Sequence, residues 1–159
     1  MNGKCLCGGV EFQLEEPIPN LYQCHCSLCR KLSGSASDTA MFIGRDQFRW
    51  VRGLDRISSF RTATGYRSDF CSGCGSTVPH LMSNTTHFWV PAGLLEGDID
   101  GKVVAHLYTE SKASWDDISG EAECFKEMPE QESLMKLLHG GKEKVEGELE
   151  KSSAASAEV

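Results

Sequence analysis

Seven of the eight cysteines of this 159-residue chain lie within residues 5–74, in three tight groups: Cys5-x-Cys7, Cys24-x-Cys26-x-x-Cys29 and Cys71-x-x-Cys74. Cys124 stands apart. Cysteines spaced this closely pair poorly with one another as disulfides, but they chelate well. No apolar segment of a secretory signal follows Met1. The expected compartment is therefore the reducing cytoplasm, where clustered thiols hold metal ions. A chain of this length has a small core and gains from metal crosslinks that join distant segments.

Between the clusters the pattern is one of short strands. Val10, Phe12 and Leu14 alternate with Glu11, Gln13 and Glu15, the period of a half-buried strand, which Pro17 and Pro19 end. Residues 39–43, 48–52, 87–92 and 103–108 read as further strands. Residues 57–62 and 66–70 read as the arms of a hairpin turning at Thr64-Gly65, and 77–82 as extended chain with Pro79 marking a sheet edge. Residues 30–35 predict a helical turn and a loop. Residues 131–138 predict a short helix with Leu134, Met135, Leu137 and Leu138 on or near one face. Trp50, Trp89 and Trp115 are assigned to the core. The expected architecture is mainly β with short helical turns: one domain over residues 1–139, then a disordered acidic tail over 140–159, where Gly, Lys, Glu, Ser and Ala dominate.

Zinc is the default metal for thiolate clusters. A structural zinc site takes four ligands in a closed tetrahedron, whereas a catalytic one keeps three protein ligands and an open position. Seven clustered cysteines divide as four plus three: Cys5, Cys7, Cys71 and Cys74 in a closed site, Cys24, Cys26 and Cys29 in an open one. Counting leaves other partitions standing, including a second closed site in which a histidine completes the triplet. Three thiolates on a divalent ion leave it with net negative charge. That makes it a weaker Lewis acid than a three-histidine site and poor at ionising water. A substrate thiol is a softer ligand and is deprotonated readily on coordination. An open three-thiolate site therefore suits holding a substrate thiolate for attack on an electrophile.

The strings Cys5-Leu6-Cys7-Gly8-Gly9-Val10-Glu11-Phe12, Cys24-His25-Cys26-Ser27-Leu28-Cys29-Arg30-Lys31 with Gly34-Ser35, and Phe70-Cys71-Ser72-Gly73-Cys74-Gly75-Ser76 resemble the glutathione-dependent formaldehyde-activating enzyme family, which also includes centromere protein V. Pro91-Ala92-Gly93-Leu94-Leu95, His106 and Ser111-Lys112-Ala113-Ser114-Trp115 extend the resemblance over residues 3–129. It implies a twisted, mostly β fold like that of the zinc-containing Rab exchange-factor suppressor. It implies two zinc ions per chain: a structural one on Cys5, Cys7, Cys71 and Cys74, and a second on Cys24, Cys26 and Cys29 with an open position. The implied activity is condensation of glutathione with formaldehyde to S-(hydroxymethyl)glutathione, formally a carbon–sulfur lyase reaction run in reverse. On this reading the triplet is catalytic, and Arg30 and Lys31 beside it bind the carboxylates of the thiol. The chain departs from the family at Leu95-Glu96-Gly97-Asp98, where members often carry two aspartates and a proline, and at Ser114, where proline is common.

The competing class is a non-catalytic zinc-binding module or a glutathione carrier. The formal net charge of −7, with four Lys and eight Glu in residues 127–159, argues against general nucleic-acid binding. No apolar run reaches the roughly 18 residues of a spanning helix. Residues 30–67 hold eight basic side chains against Asp38, Asp46 and Asp55, either a solvated face or a rim that attracts an anionic tripeptide. A redox role for Cys71-Ser72-Gly73-Cys74 lacks the βαβ setting of a thioredoxin-like motif. His25, between two cysteines, either orients a substrate or faces solvent. His106 reads as a satisfied core or surface histidine, His80 and His87 carry no function, and Cys124 is read as a free, partly buried thiol.

Overall fold

A computed structural model of the chain describes residues 1–83 and 86–140. Apart from Gly140, the tail assigned to 140–159 lies outside the described residues.

Ala40, Met41, Phe42 and Ile43 are all buried, so their strand, β4 (Asp38–Gly44), shows an unbroken apolar run and no alternation. Alternation survives in where the side chains go. Met41 and Ile43 pack with Phe12, Leu14, Phe48 and Val90 on one face. Ala40 and Phe42 pack with Tyr22, Cys24, Leu107 and Leu134 on the other. The remaining strands are β1 (Asn2–Lys4), β2 (Glu11–Leu14), β3 (Leu21–Cys24), β5 (Phe48–Arg52), β6 (Ile57–Arg61), β7 (Arg67–Cys71), β8 (Thr77–Val78), β9 (His80–Leu81), β10 (His87–Pro91), β11 (Val103–Leu107) and β12 (Glu123–Cys124). The central sheet runs β12-β11-β3-β4-β10-β9. Its β3–β11 and β11–β12 pairs are parallel, and the rest are antiparallel.

A three-stranded sheet, β1-β2-β5, covers the Met41 face. The two sheets are joined by aromatic stacking: the Phe48 and Phe88 rings lie 3.9 Å apart, and Phe48 also stacks on Phe12 at 5.5 Å. The opposite face is covered by helix α2 (Gln131–His139), which buries Leu134 and Leu138. A third sheet, β6-β7-β8, is built on the predicted hairpin, whose arms pair from Ile57↔Cys71 to Arg61↔Arg67. Arg67 and Ser59 both bond to the Asp69 carboxylate inside it. No helix among the described residues is long and apolar enough to cross a membrane.

The mainly β architecture matches expectation, with several local corrections. Helix α1 (Ser27–Ser33) begins earlier than the predicted turn at 30–35 and takes Cys29 into its first turn. Strand β3 escaped the sequence because it is buried on both faces and shows no alternation. Trp115 is not core: it is 70% exposed, in an irregular segment after β11. Cys124 is free as expected but exposed, because β12 is a two-residue edge strand. The divergent segment around Leu95–Asp98 rests on the N-terminal strand: Leu95 bridges Gly3, the Glu96 amide donates to the Asn2 carbonyl at 2.9 Å, and the Glu96 carboxylate pairs with Lys4.

Gly53 closes the turn after β5 with φ +83°, a conformation that L side chains rarely adopt. A Cβ there would sit 2.0 Å from the Gly9 carbonyl oxygen. The Gly53→Ala variant is expected to lose about 1–3 kcal/mol of stability through strain alone. Because the neighbour that must move is the backbone between Cys7 and Val10, the same variant should also weaken metal binding by Cys5 and Cys7. Urea unfolding measures the first effect and a chelator competition the second; an unchanged unfolding midpoint would contradict this close packing.

Candidate functional site

The two outer cysteine pairs meet. Cys5 and Cys7 sit on a turn closed by the Gly8 amide donating to the Cys5 carbonyl at 2.9 Å. Cys71 ends β7, and Cys74 follows on a turn closed by the Gly75 amide donating to the Cys71 carbonyl at 2.8 Å. Gly8 and Gly75 both have positive φ, which lets each turn fold back tightly enough to bring its two sulfurs together. The four sulfurs lie within 4.8 Å of one another. Cys5 and Cys7 are 3.6 Å apart, Cys7 and Cys71 3.8 Å. A tetrahedral zinc about 2.3 Å from each sulfur sets neighbouring sulfurs roughly 3.8 Å apart, so this donor set fits the ion. Backbone and side-chain donors support the sulfurs as well. The Val10 amide donates to Cys5 at 3.2 Å, and Ser76 holds the Cys74 thiol down to about 5.

Cys24, Cys26 and Cys29 form the second group, also with sulfurs within 4.8 Å of one another. It lies where β3 runs into α1. Cys26 caps the helix and accepts from the Cys29 amide at 3.4 Å. Cys24 is buried, whereas Cys26 and Cys29 are half-buried, so the group opens toward solvent on the side of the helix. The sulfurs share their protons. Cys24 is held down to about 6, first by its hydrogen bond with Cys29, and that bond pushes the Cys29 thiol up. A divalent ion displaces such protons, and all-sulfur donors suit zinc. Both groups can hold a metal ion: the first offers four ligands, the second three among the described residues.

His25 does neither thing expected of it. It is 2% exposed and turned away from solvent. Its Nδ1 lies 2.7 Å from Asp116 Oδ2, and its Nε2 lies 3.0 Å from Nδ1 of the buried His106. Asp116 reaches His25 because Tyr108 takes φ +57° and turns the chain sharply out of β11. Arg30 and Lys31 stand in the last turn of α1. Arg30 Nη2 donates to the Ser111 carbonyl at 3.3 Å, so the guanidinium also ties α1 to that same segment, while Lys31 is exposed. Of the other basic residues in 30–67, Arg49, Arg52 and Arg67 bond to Gln13, Glu11 and Asp69 within the outer sheets.

Two groups near the triplet carry no signal in the sequence. Tyr66, next to the tip of the β6–β7 hairpin, lies near Cys29; burial first, then the charges of Cys29 and Asp38, push its hydroxyl up. Asp38 pairs with Cys24 across the β3–β4 ladder, and burial raises its carboxyl to about 6. Asp116 was missed too, since it lies 91 residues from the histidine it binds. A separate cavity of about 170 Å³ between Phe42, His87 and α2 is lined by Met82, Met128 and Met135 and is almost wholly apolar. No lysine or arginine is among the described residues that line it.

Comparison with known proteins agrees with this geometry. A curated protein of Halomonas elongata named "Putative glutathione-dependent formaldehyde-activating enzyme" is 28% identical over 142 residues, 82% of this chain and 90% of that protein. A crystal structure of a Rhodobacter sphaeroides protein superposes with a TM-score of 0.52 at 29% identity, covering 63% of this chain and 92% of that one. Residues 1–111, which carry both cysteine groups, match the sequence profile of the glutathione-dependent formaldehyde-activating enzymes. The chain belongs to that family.

Proposed function

We propose that the protein is a zinc-dependent enzyme of the carbon–sulfur lyase type that adds a small thiol, glutathione, to formaldehyde at the Cys24–Cys26–Cys29 group. The observation that carries this reading is the contrast between the two groups. One has four sulfurs at tetrahedral spacing; the other has three, half open to solvent, in a chain of this family. Cys5, Cys7, Cys71 and Cys74 hold a structural zinc, and Cys24, Cys26 and Cys29 a second one. Bound by three thiolates, that ion supplies a coordination position that lowers the pKa of a thiol presented to it.

The chain's own residues do the rest. Lys31, exposed beside the triplet, attracts the carboxylates of the tripeptide. Arg30 is held in place by Ser111 and offers its remaining donors in a fixed plane. The Tyr66 hydroxyl, pushed up by burial, keeps its proton beside the triplet. In the reaction the thiol sulfur forms a bond to the formaldehyde carbon, the carbonyl π bond opens onto oxygen, and that oxygen takes up a proton while the thiol gives one to solvent.

Metal analysis is expected to find two zinc ions per chain, falling to one in Cys26→Ser with the fold retained. In Cys71→Ser the loss should come with a clear drop in thermal stability, since that cluster joins the N-terminus to β7. An unchanged zinc count in Cys26→Ser would refute the second site. Exchange NMR on an equilibrated mixture of glutathione, formaldehyde and their adduct tests the reaction itself. The zinc-loaded protein should speed exchange above the spontaneous rate, and the Cys26→Ser protein should not. Two bound zinc ions without acceleration would overturn the catalytic reading in favour of a carrier.

A further inference from the structure

We propose that Asp116 and His106, acting through His25, are positioning residues of the Cys24–Cys26–Cys29 group. The inference rests on that group being a metal site. Cys24 ends a strand, and Cys26 has extended backbone, φ −65° and ψ 158°. Side chains alternate along an extended chain, so the two thiols share one side and His25 takes the other. Whatever holds His25 therefore holds the backbone between the two sulfurs.

His25 is held at three points. Its amide donates to the Leu107 carbonyl at 2.9 Å. Its Nδ1 meets Asp116 Oδ2 at 2.7 Å, where a carboxylate oxygen can accept from a ring N–H. The other ring nitrogen bonds His106 Nδ1 at 3.0 Å, with the two rings 5.2 Å apart. The chain of bonds thus joins three separate segments: the cysteine loop, β11 and the turn that follows it. Lys112 Nζ donates to the Asp116 backbone carbonyl at 2.6 Å and fixes the far end.

Apolar packing would not do this work. A leucine at position 25 would fill the space and keep the amide bond to Leu107, but it would lose both ring bonds, to Asp116 and to His106, that fix the side chain behind the thiols. Buried polar groups that are fully bonded specify one arrangement. His25 and Asp116 side chains are 3% and 10% exposed, so water cannot substitute for either partner. Partners that orient a metal site's ligands from behind commonly set its affinity, and losing one costs about 10–100-fold.

The test uses the full chain with three variants, Asp116→Ala, Asp116→Asn and His106→Leu. Zinc affinity of each cysteine group is measured by competition with a chromophoric chelator. The cobalt-loaded proteins give an absorption spectrum of the triplet after subtraction of the Cys26→Ser spectrum. Asp116→Ala and His106→Leu are expected to weaken the triplet by about 10–100-fold and to shift its cobalt bands, leaving the four-cysteine group unchanged. Asp116→Asn, whose amide oxygen still accepts from His25, should keep the parent affinity and spectrum. Affinity lost equally from both groups, an asparagine variant as weak as the alanine one, or all three variants like the parent would each overturn the proposal. If Asp116→Ala does not fold, the contrast between His106→Leu and Asp116→Asn decides it. A parent protein that binds a single zinc instead refutes the second metal site, and so the reading on which this inference rests; two zinc ions with unaffected variants refute this inference alone.

Discussion

The meeting of Cys5 and Cys7 with Cys71 and Cys74 is the contact on which the rest of the molecule depends. It joins residues more than sixty positions apart, and the small third core cluster of Val10, Val78, Cys5 and Cys71 is built around it. A cluster of that size contributes only a little apolar burial, and a metal ion held by the four sulfurs would add a crosslink between its two segments. The consequence reaches further than the cluster. Cys71 is the root of the β6–β7 hairpin, and Tyr66 is near its tip, so the packing that anchors the hairpin at Cys71 also sets where Tyr66 lies near Cys29. One cysteine group thus shapes the mouth of the other.

The two groups differ in how they are enclosed. Each pair of the first sits on its own glycine turn, with the Val10 amide on the Cys5 sulfur and the Ser76 hydroxyl against the Cys74 sulfur. The second is built at the end of a strand of the central sheet, with rigid packing behind it and solvent in front. Strand β3 is paired on both sides, by β4 and β11, which makes Cys24 among the least mobile positions a sheet can offer. A fixed back and an open front are the features that distinguish this group from the first.

The sequence disclosed what depends on neighbours along the chain. Cysteine spacings, the alternation at 10–15, the hairpin at 57–70 and the apolar face of 131–138 all became elements or clusters near their expected places. What it hid depends on contacts made across the fold. His25 looks like a lone polar residue between ligands until Asp116, in a turn 91 residues away, is brought against it. Trp115 carries the composition of a core residue, but its neighbour Asp116 is the one that turns inward. Strand β3 is silent because full burial erases the period by which strands are read.

The same logic separates the basic residues. By count, residues 30–67 suggest a cationic rim, yet Arg49 and Arg52 of β5 bond across to Gln13 and Glu11 of β2, and Arg67 pairs with Asp69 on its own strand. The charge that matters for a substrate is the charge left over near the triplet, and there Arg30 and Lys31 are not equivalent. Arg30 is half-buried, with one edge of its guanidinium on Ser111 and a buried Nε that has no partner among the described residues. The guanidinium's hydrogen bond runs to the same 109–116 segment that carries Asp116. Lys31 is exposed on a flexible stem and acts as a mobile point charge. The 109–116 segment thus contacts both the ring behind the thiols, through Asp116, and the guanidinium beside them, through Ser111.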